Sequence, residues 1–355
     1  MNFDDLARRP SAWLSCQGPL GEVVISSRVR LARNLAGFPF LTRATDSQRC
    51  QIQRLVWNAL VEAGQGVDAF YVDIEQAHEL DRQLLVERHL ISRQHAASKG
   101  SRGVAVGAAE TMALMINEED HIRIQALRSG LQLDEVWKVV SGLDAALEQR
   151  IEYAYHPRFG YLTACPTNVG TGLRVSVRLH LPALKLTGEI ERVLRATRDT
   201  RLAVRGLFGE GTEATGDLYQ VSNQTTLGKS EEEIIHDFRH LVVPSIIDYE
   251  THARKVLVRD KAAALDDKIF RAYGLLGHAR TISSEETLGL LSHVRMGISL
   301  GRIKDIDLQT VNDLFLQTQP AHLQKLRGAL LDGEQRSIVR AELIRRRLGN
   351  GHNPG

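Results

Sequence analysis

Cysteine is scarce: the three in 355 residues, at positions 16, 50 and 165, form no CxxC and no Cys/His ligand spacing, which argues against both a disulfide framework and structural zinc. Long apolar runs are missing too. None approaches the length needed to cross a bilayer, and the first ten residues carry acids and arginines where a signal peptide has its apolar core, so the expectation is a cytoplasmic protein with no membrane partner. An excess of one charge is also lacking. Lys and Arg number 45 against 43 Asp and Glu, and the resulting +2 gives no warrant for direct nucleic-acid binding, so any basic function has to be local. What is there, 43% hydrophobic and 25% charged residues, suffices for a sizeable core, and 355 residues make two domains the default.

Residues 23 to 33 alternate apolar and polar through Val23, Ile25, Val29 and Leu31, predicting a strand that carries Arg28, Arg30 and Arg33. A helix follows, with Asp46 as its expected N-cap ahead of Ile52, Leu55, Val56 and Leu60. Further strands are predicted at 69–74, 102–108, 111–116, 121–127, 172–181, 201–206 and 217–223, with helices at 76–90 and 132–150. Glycine-bounded neighbouring strands favour antiparallel pairing, hence a mixed sheet with helices, an α+β fold. After about residue 255 the β-branched alternation fades, and helices are expected at 256–273, 284–297, 307–317, 320–330 and 334–348. Ser230 with Glu233 and Ser283 with Glu286 fit capping boxes, and Pro244 should kink or break the helix that Ser230 begins. The expected division is a sheet-bearing region over 1–255 and an all-helical region over 256–355.

Gly228-Lys229-Ser230 imitates the end of a P-loop, but the pattern needs glycine where Asn223 stands, so Lys229 reads as solvated and Ser230 as a cap. Gly209-x-Gly211-x-x-Ala214 imitates a dinucleotide fingerprint, yet Glu210 and Glu213 inside it would repel a pyrophosphate; a lid or accommodating turn fits better. Phosphate binding would then fall to side chains. Arg28, Arg30, Arg123, Arg174 and Arg205 recur beside predicted strands and together suit a triphosphate. Glutamates in Asn117-Glu118-Glu119-Asp120-His121 and in the stretch from Arg205 to Glu213 suit a guanidinium, which carboxylates grip in a flat fork. Cys165-Pro166-Thr167-Asn168 adds a thiol in a turn, and cationic neighbours would favour its thiolate. Acids for a guanidinium and arginines for phosphates together suggest phosphoryl transfer onto arginine.

The blocks Ser26-Ser27-Arg28-Val29-Arg30-Leu31-Ala32-Arg33-Asn34, Asn117 to Arg123, Cys165 to Arg174, Arg205 to Glu210 and Ser222-Asn223-Gln224 closely resemble the phosphagen (guanidino) kinases, such as arginine and creatine kinase, in family order over roughly 23–255. The resemblance implies a phosphagen-kinase-like catalytic domain over 1–255, with a mostly antiparallel sheet flanked by helices. The helical domain over 256–355 would then serve docking, dimerisation or phosphoarginine sensing. Small-molecule members carry a helical domain before the first block, where this chain has only twenty-odd residues, and here a helical domain follows instead. That arrangement is similar to the bacterial protein-arginine kinases. It implies an ATP- and Mg2+-dependent kinase that phosphorylates exposed arginines of protein substrates, marking them for Clp-type proteolysis in stress response and quality control.

The same resemblance assigns roles. Arg28, Arg30, Arg123, Arg174 and Arg205 would bind the nucleotide, with His89 as a weaker match for the contact to the base. Glu119 would act as general base, while Glu210 and the Cys165 thiolate align the guanidinium; Glu118 and Glu213 would stand behind them. No protein ligand is assigned to the metal. Arg336 and Arg340, four apart in Arg336-Ser337-Ile338-Val339-Arg340-Ala341, resemble a phosphoarginine-sensing element in which serine here replaces aspartate. Met115 and Arg178 depart from the arginine-kinase pattern at positions that shape the pocket. A zinc-binding activator, a Clp unfoldase and a homodimer are implied partners. Two alternatives stand beside this reading: a small-molecule guanidino kinase, and a phosphoarginine-binding adaptor with weak catalysis.

Overall fold

The computed structural model describes residues 2–64, 69–206 and 214–349. Ten strands occur in this span: β1 (Val24–Arg33), β2 (Ala69–Asp73), β3 (Gly103–Gly107), β4 (Met112–Ile116), β5 (Ile122–Ser129), β6 (Tyr155–His156), β7 (Gly160–Tyr161), β8 (Leu173–His180), β9 (Leu202–Gly206) and β10 (Leu218–Asn223). Eight of them form one sheet in the order β2-β3-β4-β5-β1-β8-β10-β9, and β6 pairs with β7 as a separate hairpin. Each neighbouring pair runs antiparallel. The expected antiparallel pairing thus holds between all neighbours of this sheet, which is antiparallel throughout and not mixed. β1, the arginine-bearing strand, lies in the interior between β5 and β8.

Side chains alternate across a strand, and this sheet uses the alternation to separate two chemistries. On one face, Val29, Leu31, Val175 and Val177 are fully buried and join the helix Leu133–Glu148 through Val136, Val140 and Leu147 in a continuous core. Antiparallel register puts Arg28 opposite Ser176, Arg30 opposite Arg174 and Gln125, and Gln220 opposite Arg178 and Arg205. These residues occupy the other face. A second, smaller core that includes Leu84, Leu85, Val104, Met115 and Ala321 closes one edge of that face.

Most predicted strands and helices lie where the periodicity put them, with local corrections. Thr45, not Asp46, caps the helix Asp46–Glu62; its hydroxyl accepts from the Gln48 amide and Gln48 returns the bond, a complete capping box. Ser230 and Glu233 form the second complete box, whereas Ser283 accepts from the Glu286 amide without the reciprocal bond. Pro244 follows a π-helical turn, Phe238–Val242, and sits in the first turn of the helix Val243–Asp260, where its missing N–H leaves no bond unmade. The predicted helix at 256–273 is instead the end of that helix and the start of Ala262–His278, separated at Lys261. Residue 255 thus lies inside a helix. The short helices Pro182–Thr187 and Ile190–Asp199 were not predicted.

The helical region shares its core with the sheet, which Leu257, Ile269, Leu291, Leu314 and Ile344 join. A buried polar tie fixes this junction. Arg295, fully buried, donates to the carbonyls of Gly21 (2.5 Å) and Glu22 (2.8 Å), to Asn312 Oδ1 (2.9 Å) and to His180 Nδ1 (2.9 Å). His180 at the end of β8 passes the chain on to Ser292 (2.9 Å), and Ser292 donates to Asp217 (2.6 Å). Burial, with Arg295 beside it, holds the His180 ring neutral, which fits an Nδ1 that accepts. Truncation of Arg295 leaves two buried acceptors, Asn312 Oδ1 and His180 Nδ1, unpaired, each a loss of about 1–3 kcal/mol. Arg295→Met is therefore expected to lower stability by at least that much, read as a drop in the urea midpoint; an unchanged midpoint would show that the tie adds no net stability.

Candidate active site

The polar face of the sheet gathers the predicted nucleotide-binding residues. Arg28, Arg30, Arg123 and Arg205 line one cleft together with His89, Met115, Gln125 and Gln220. Arg174, the cross-strand partner of Arg30, has Arg205, Arg123, Cys165 and Glu119 as its ionisable neighbours. The five arginines thus come from β1, β5, β8 and β9, and they meet the thiol and Glu119 at one end.

These cations are poorly compensated among the described residues. Arg28 donates to Ser176 Oγ (3.2 Å) and to Gln220 Oε1 (2.8 Å), both neutral. Arg30 and Arg174 each keep a buried Nε without a partner. Burial, then neighbouring arginines, pull the pKa values of Arg28, Arg30 and Arg174 down. Among the described residues, only Arg123 of the five has a carboxylate, Glu118, in direct contact. Such a surface is held at unfavourable energy until an anion of several charges arrives.

The acidic loop is built for two different tasks. Asn117 takes a left-handed backbone (φ 59°), and its side chain donates to the Arg49 and Ser101 carbonyls. Glu118 is turned inward, accepting from Ser92, Arg123 and the Glu119 amide; burial opposes its charge, but Arg123 and these bonds outweigh burial and leave its pKa low. Asp120 accepts from Asn34 Nδ2 (2.6 Å) and from the Ala164 amide (2.6 Å), tying the acidic loop to the segment that carries Cys165. His121 is structural in this arrangement, its Nδ1 accepting from the Leu35 amide. Glu119 alone remains half-exposed beside the arginines. Burial, offset in part by Arg123, raises its pKa.

Cys165 is half-buried, with Thr167 Oγ1 3.1 Å from its Sγ. Its loop needs glycine: Gly170 (φ 116°) and Gly172 (φ 66°) have backbone conformations other residues rarely adopt, and a Cβ on Gly172 would meet the Ala32 carbonyl at 2.6 Å. Thr226 and Asn223 pin the loop from the far side, Thr226 through the Val169 carbonyl (2.7 Å) and Asn223 through the Val175 amide (2.8 Å). Asn223, which excluded a P-loop, is thus a structural clamp. Lys229 pairs with Asp237 at 2.6 Å on the surface.

Glu210 and Glu213 lie outside the described residues. His89 lines the cleft, with a left-handed backbone (φ 59°) and its ring edge-on to Trp13 at 5.1 Å. Arg336 and Arg340 stand apart in the helix Gly333–Arg347. Arg340 is buried and donates to the carbonyls of Thr318 (2.9 Å) and Ile282 (3.0 Å), while Arg336 donates to Leu331 (2.7 Å). The sequence reading missed Gln220, Gln125 and Ser92, polar residues that support the site; strand alternation was the available signal for the first two. Among the described residues no group of three or more His, Cys, Asp or Glu could hold a metal ion, and no helix is long and apolar enough to cross a membrane.

If Glu119 is the base that the resemblance implies, it acts in its ionised form, and its raised pKa sets a pH limit. The rate of phosphoryl transfer is expected to fall as pH drops through a value above 4.5, the ordinary glutamate value. Glu119→Gln should remove that acid limb and about 10²–10⁴-fold of the rate. In the same assay Cys165→Ser should slow turnover without unfolding; full activity in either variant would show its side chain dispensable.

Known proteins share this arrangement. The family model for the ATP:guanido phosphotransferase C-terminal catalytic domain matches residues 51–253, and that for the protein-arginine kinase McsB C-terminal domain matches 262–355. A protein-arginine kinase of Halothermothrix orenii is 45% identical over 98% of this chain and 99% of its own, and one of Desulforamulus reducens is 46% identical over 99% and 100%. Among solved structures, a lombricine kinase superposes with a TM-score of 0.58 at 26% identity, covering 68% of this chain and 71% of its own. The duplicated taurocyamine kinase of Schistosoma mansoni, with bound transition-state analogue components, gives 0.59 at 28% identity over 71% of this chain, which spans only 36% of that longer protein. With near-full-length relatives at this identity and both family models matched in order, the chain belongs to the protein-arginine kinases, phosphotransferases built on the ATP:guanido phosphotransferase catalytic domain.

Proposed function

We propose that this protein transfers the γ-phosphoryl group of ATP to the guanidinium of arginine residues in proteins. The observation that carries the reading is the set of five arginines, sparsely neutralised, on one sheet face beside Glu119 and Cys165. The relatives' designation as protein-arginine kinases supports arginine as the acceptor.

In this reading Arg28, Arg30, Arg123, Arg174 and Arg205 hold the triphosphate and neutralise the oxygens of the group in flight, the dominant contribution in phosphoryl transfer. Arginine cannot ligate a metal, so magnesium would arrive on the nucleotide, held by phosphate oxygens and water, and supply further charge neutralisation there. Glu119 removes the guanidinium proton as phosphorus approaches, because arginine, protonated far above neutral pH, otherwise offers no lone pair. Cys165, with Glu210 as its assigned companion, orients the planar acceptor in line with the phosphoryl group. Glu118 keeps Arg123 in place. His89 serves the nucleoside end.

Arg336 and Arg340 are assigned as a phosphoarginine sensor. Their proximity supports it, since Arg340's pKa is lowered by burial and next by Arg336. Two carbonyl bonds already engage Arg340, so a phosphate would be gripped by its remaining amine together with Arg336. The regions 1–255 and 256–355 are assigned to catalysis and to sensing or docking. Cytoplasmic location, a zinc-binding activator, a homodimer and delivery of marked proteins to a Clp protease complete the proposal.

Incubation with magnesium-ATP and an unfolded arginine-rich protein should produce an acid-labile phosphorus–nitrogen bond, absent with Glu119→Gln, with little product on free arginine. Preference for free arginine would favour a small-molecule guanidino kinase. If added phosphoarginine stimulates the wild type, Arg336→Met/Arg340→Met should abolish the stimulation; its persistence would remove the sensor assignment.

A further inference from the structure

Arg178 is the most anomalous charge in the molecule. It lies on β8 two residues beyond Ser176 and four beyond Arg174, on the cleft face of the sheet, and it is fully buried. None of its three nitrogens has a hydrogen-bond partner, and it belongs to no ion pair among the described residues. Its cross-strand neighbour Ser26 does not satisfy it either, the Ser26 Oγ being likewise unpartnered. What covers it is an aromatic face: the guanidinium carbon stands 4.5 Å from the centroid of Trp13. Cation–π attraction offsets a small part of the desolvation of a buried guanidinium. Apolar side chains of similar volume at such a position are often neutral or stabilising, so packing alone gives no reason for arginine here.

The surroundings show where its charge is felt. Arg28 and His89, both lining the cleft, have Arg178 as their foremost charged neighbour. Burial, with Arg30 next, lowers the Arg178 pKa only to about 9, so the group stays cationic at neutral pH. Fully buried and with no counter-ion among the described residues, it has a field that reaches the cleft weakly screened.

We propose that Arg178 is a positioning residue of the nucleotide cleft: a buried, uncompensated cation behind Arg28 and His89 that tightens binding of the donor's phosphates through its charge, without touching them. The inference rests on the proposed use of ATP and deepens it. The empty protein carries the electrostatic penalty, and a polyphosphate relieves it. Arginine suits this role better than lysine in one respect, its flat face against Trp13, but the argument requires only the charge.

The test is titration calorimetry of magnesium-ATP and of magnesium tripolyphosphate on the wild type, Arg178→Met, Arg178→Gln and Arg178→Lys, with urea unfolding of each free protein. The two neutral variants should bind both ligands about tenfold more weakly, a change of about 1.4 kcal/mol, while their free forms are as stable as wild type or more so. Arg178→Lys should restore both affinities to within about twofold of wild type. Neutral variants that bind both ligands normally would overturn the proposal. So would loss of ATP binding alone, which would indicate direct contact with the nucleoside, or a lysine variant as weak as methionine, which would indicate shape. Failure of both neutral variants to fold would contradict it too, because the proposal makes the charge a burden on the empty protein. A wild type that binds neither ligand would instead overturn the use of ATP itself, and this inference with it.

Discussion

Like charges held close in poorly solvated surroundings repel, and a protein keeps them there only if its fold is stable enough to bear the repulsion and something gains from it. In this chain the gathering of guanidinium groups on one face of an antiparallel sheet is the constraint around which the rest is arranged. Alternation along β1 and β8 sends Val29, Leu31, Val175 and Val177 into the core, and the same alternation sends Arg28, Arg30, Arg174 and Arg178 the other way. The apolar face therefore does two jobs at once. It supplies the burial that stabilises the sheet, and it fixes the register that lines up the cations opposite one another.

The loops at the acceptor end follow from the same logic. Glu119 can stay partly exposed and available because its neighbours are fully committed: Glu118 to Arg123 and Ser92, Asp120 to Asn34 and Ala164, His121 to Leu35. Asp120 in particular joins the acidic loop to the segment that carries the cysteine, so Glu119 and the thiol are held by one hydrogen-bonded unit. The helical region is attached just as firmly. Arg295 and His180 anchor it to the end of β8, the strand that also carries Arg174 and Arg178, and Gln319 from the same region reaches the cleft lining. A change in the helices therefore has a short mechanical path to the nucleotide site.

Much of this was legible in the residues. Arginines at spacing two on an alternating strand had to share a face, and the antiparallel pairing expected from glycine-bounded strands put their partners beside them. The core strands were readable because a half-buried strand repeats every two residues. Other features were not readable, for identifiable reasons. Lys261 separates two helices without glycine or proline to mark the break. Thr45 and Asp46 are both good caps in adjacent positions, and only the geometry of the Gln48 bond distinguishes them. Arg178 was visible as a departure from the family pattern, but that it has no counter-ion among the described residues is a property of three dimensions.

In the proposed function the arginines of β1, β5, β8 and β9 seat a nucleoside triphosphate, with the acceptor end at Glu119 and Cys165. Its most direct test is the structure of the protein with magnesium and a non-hydrolysable ATP analogue. The account predicts phosphate oxygens within hydrogen-bonding distance of Arg28, Arg30, Arg123, Arg174 and Arg205, and the terminal phosphate nearest Glu119. An analogue bound elsewhere, or seated with its base toward Glu119 and its phosphates away from those arginines, would contradict it.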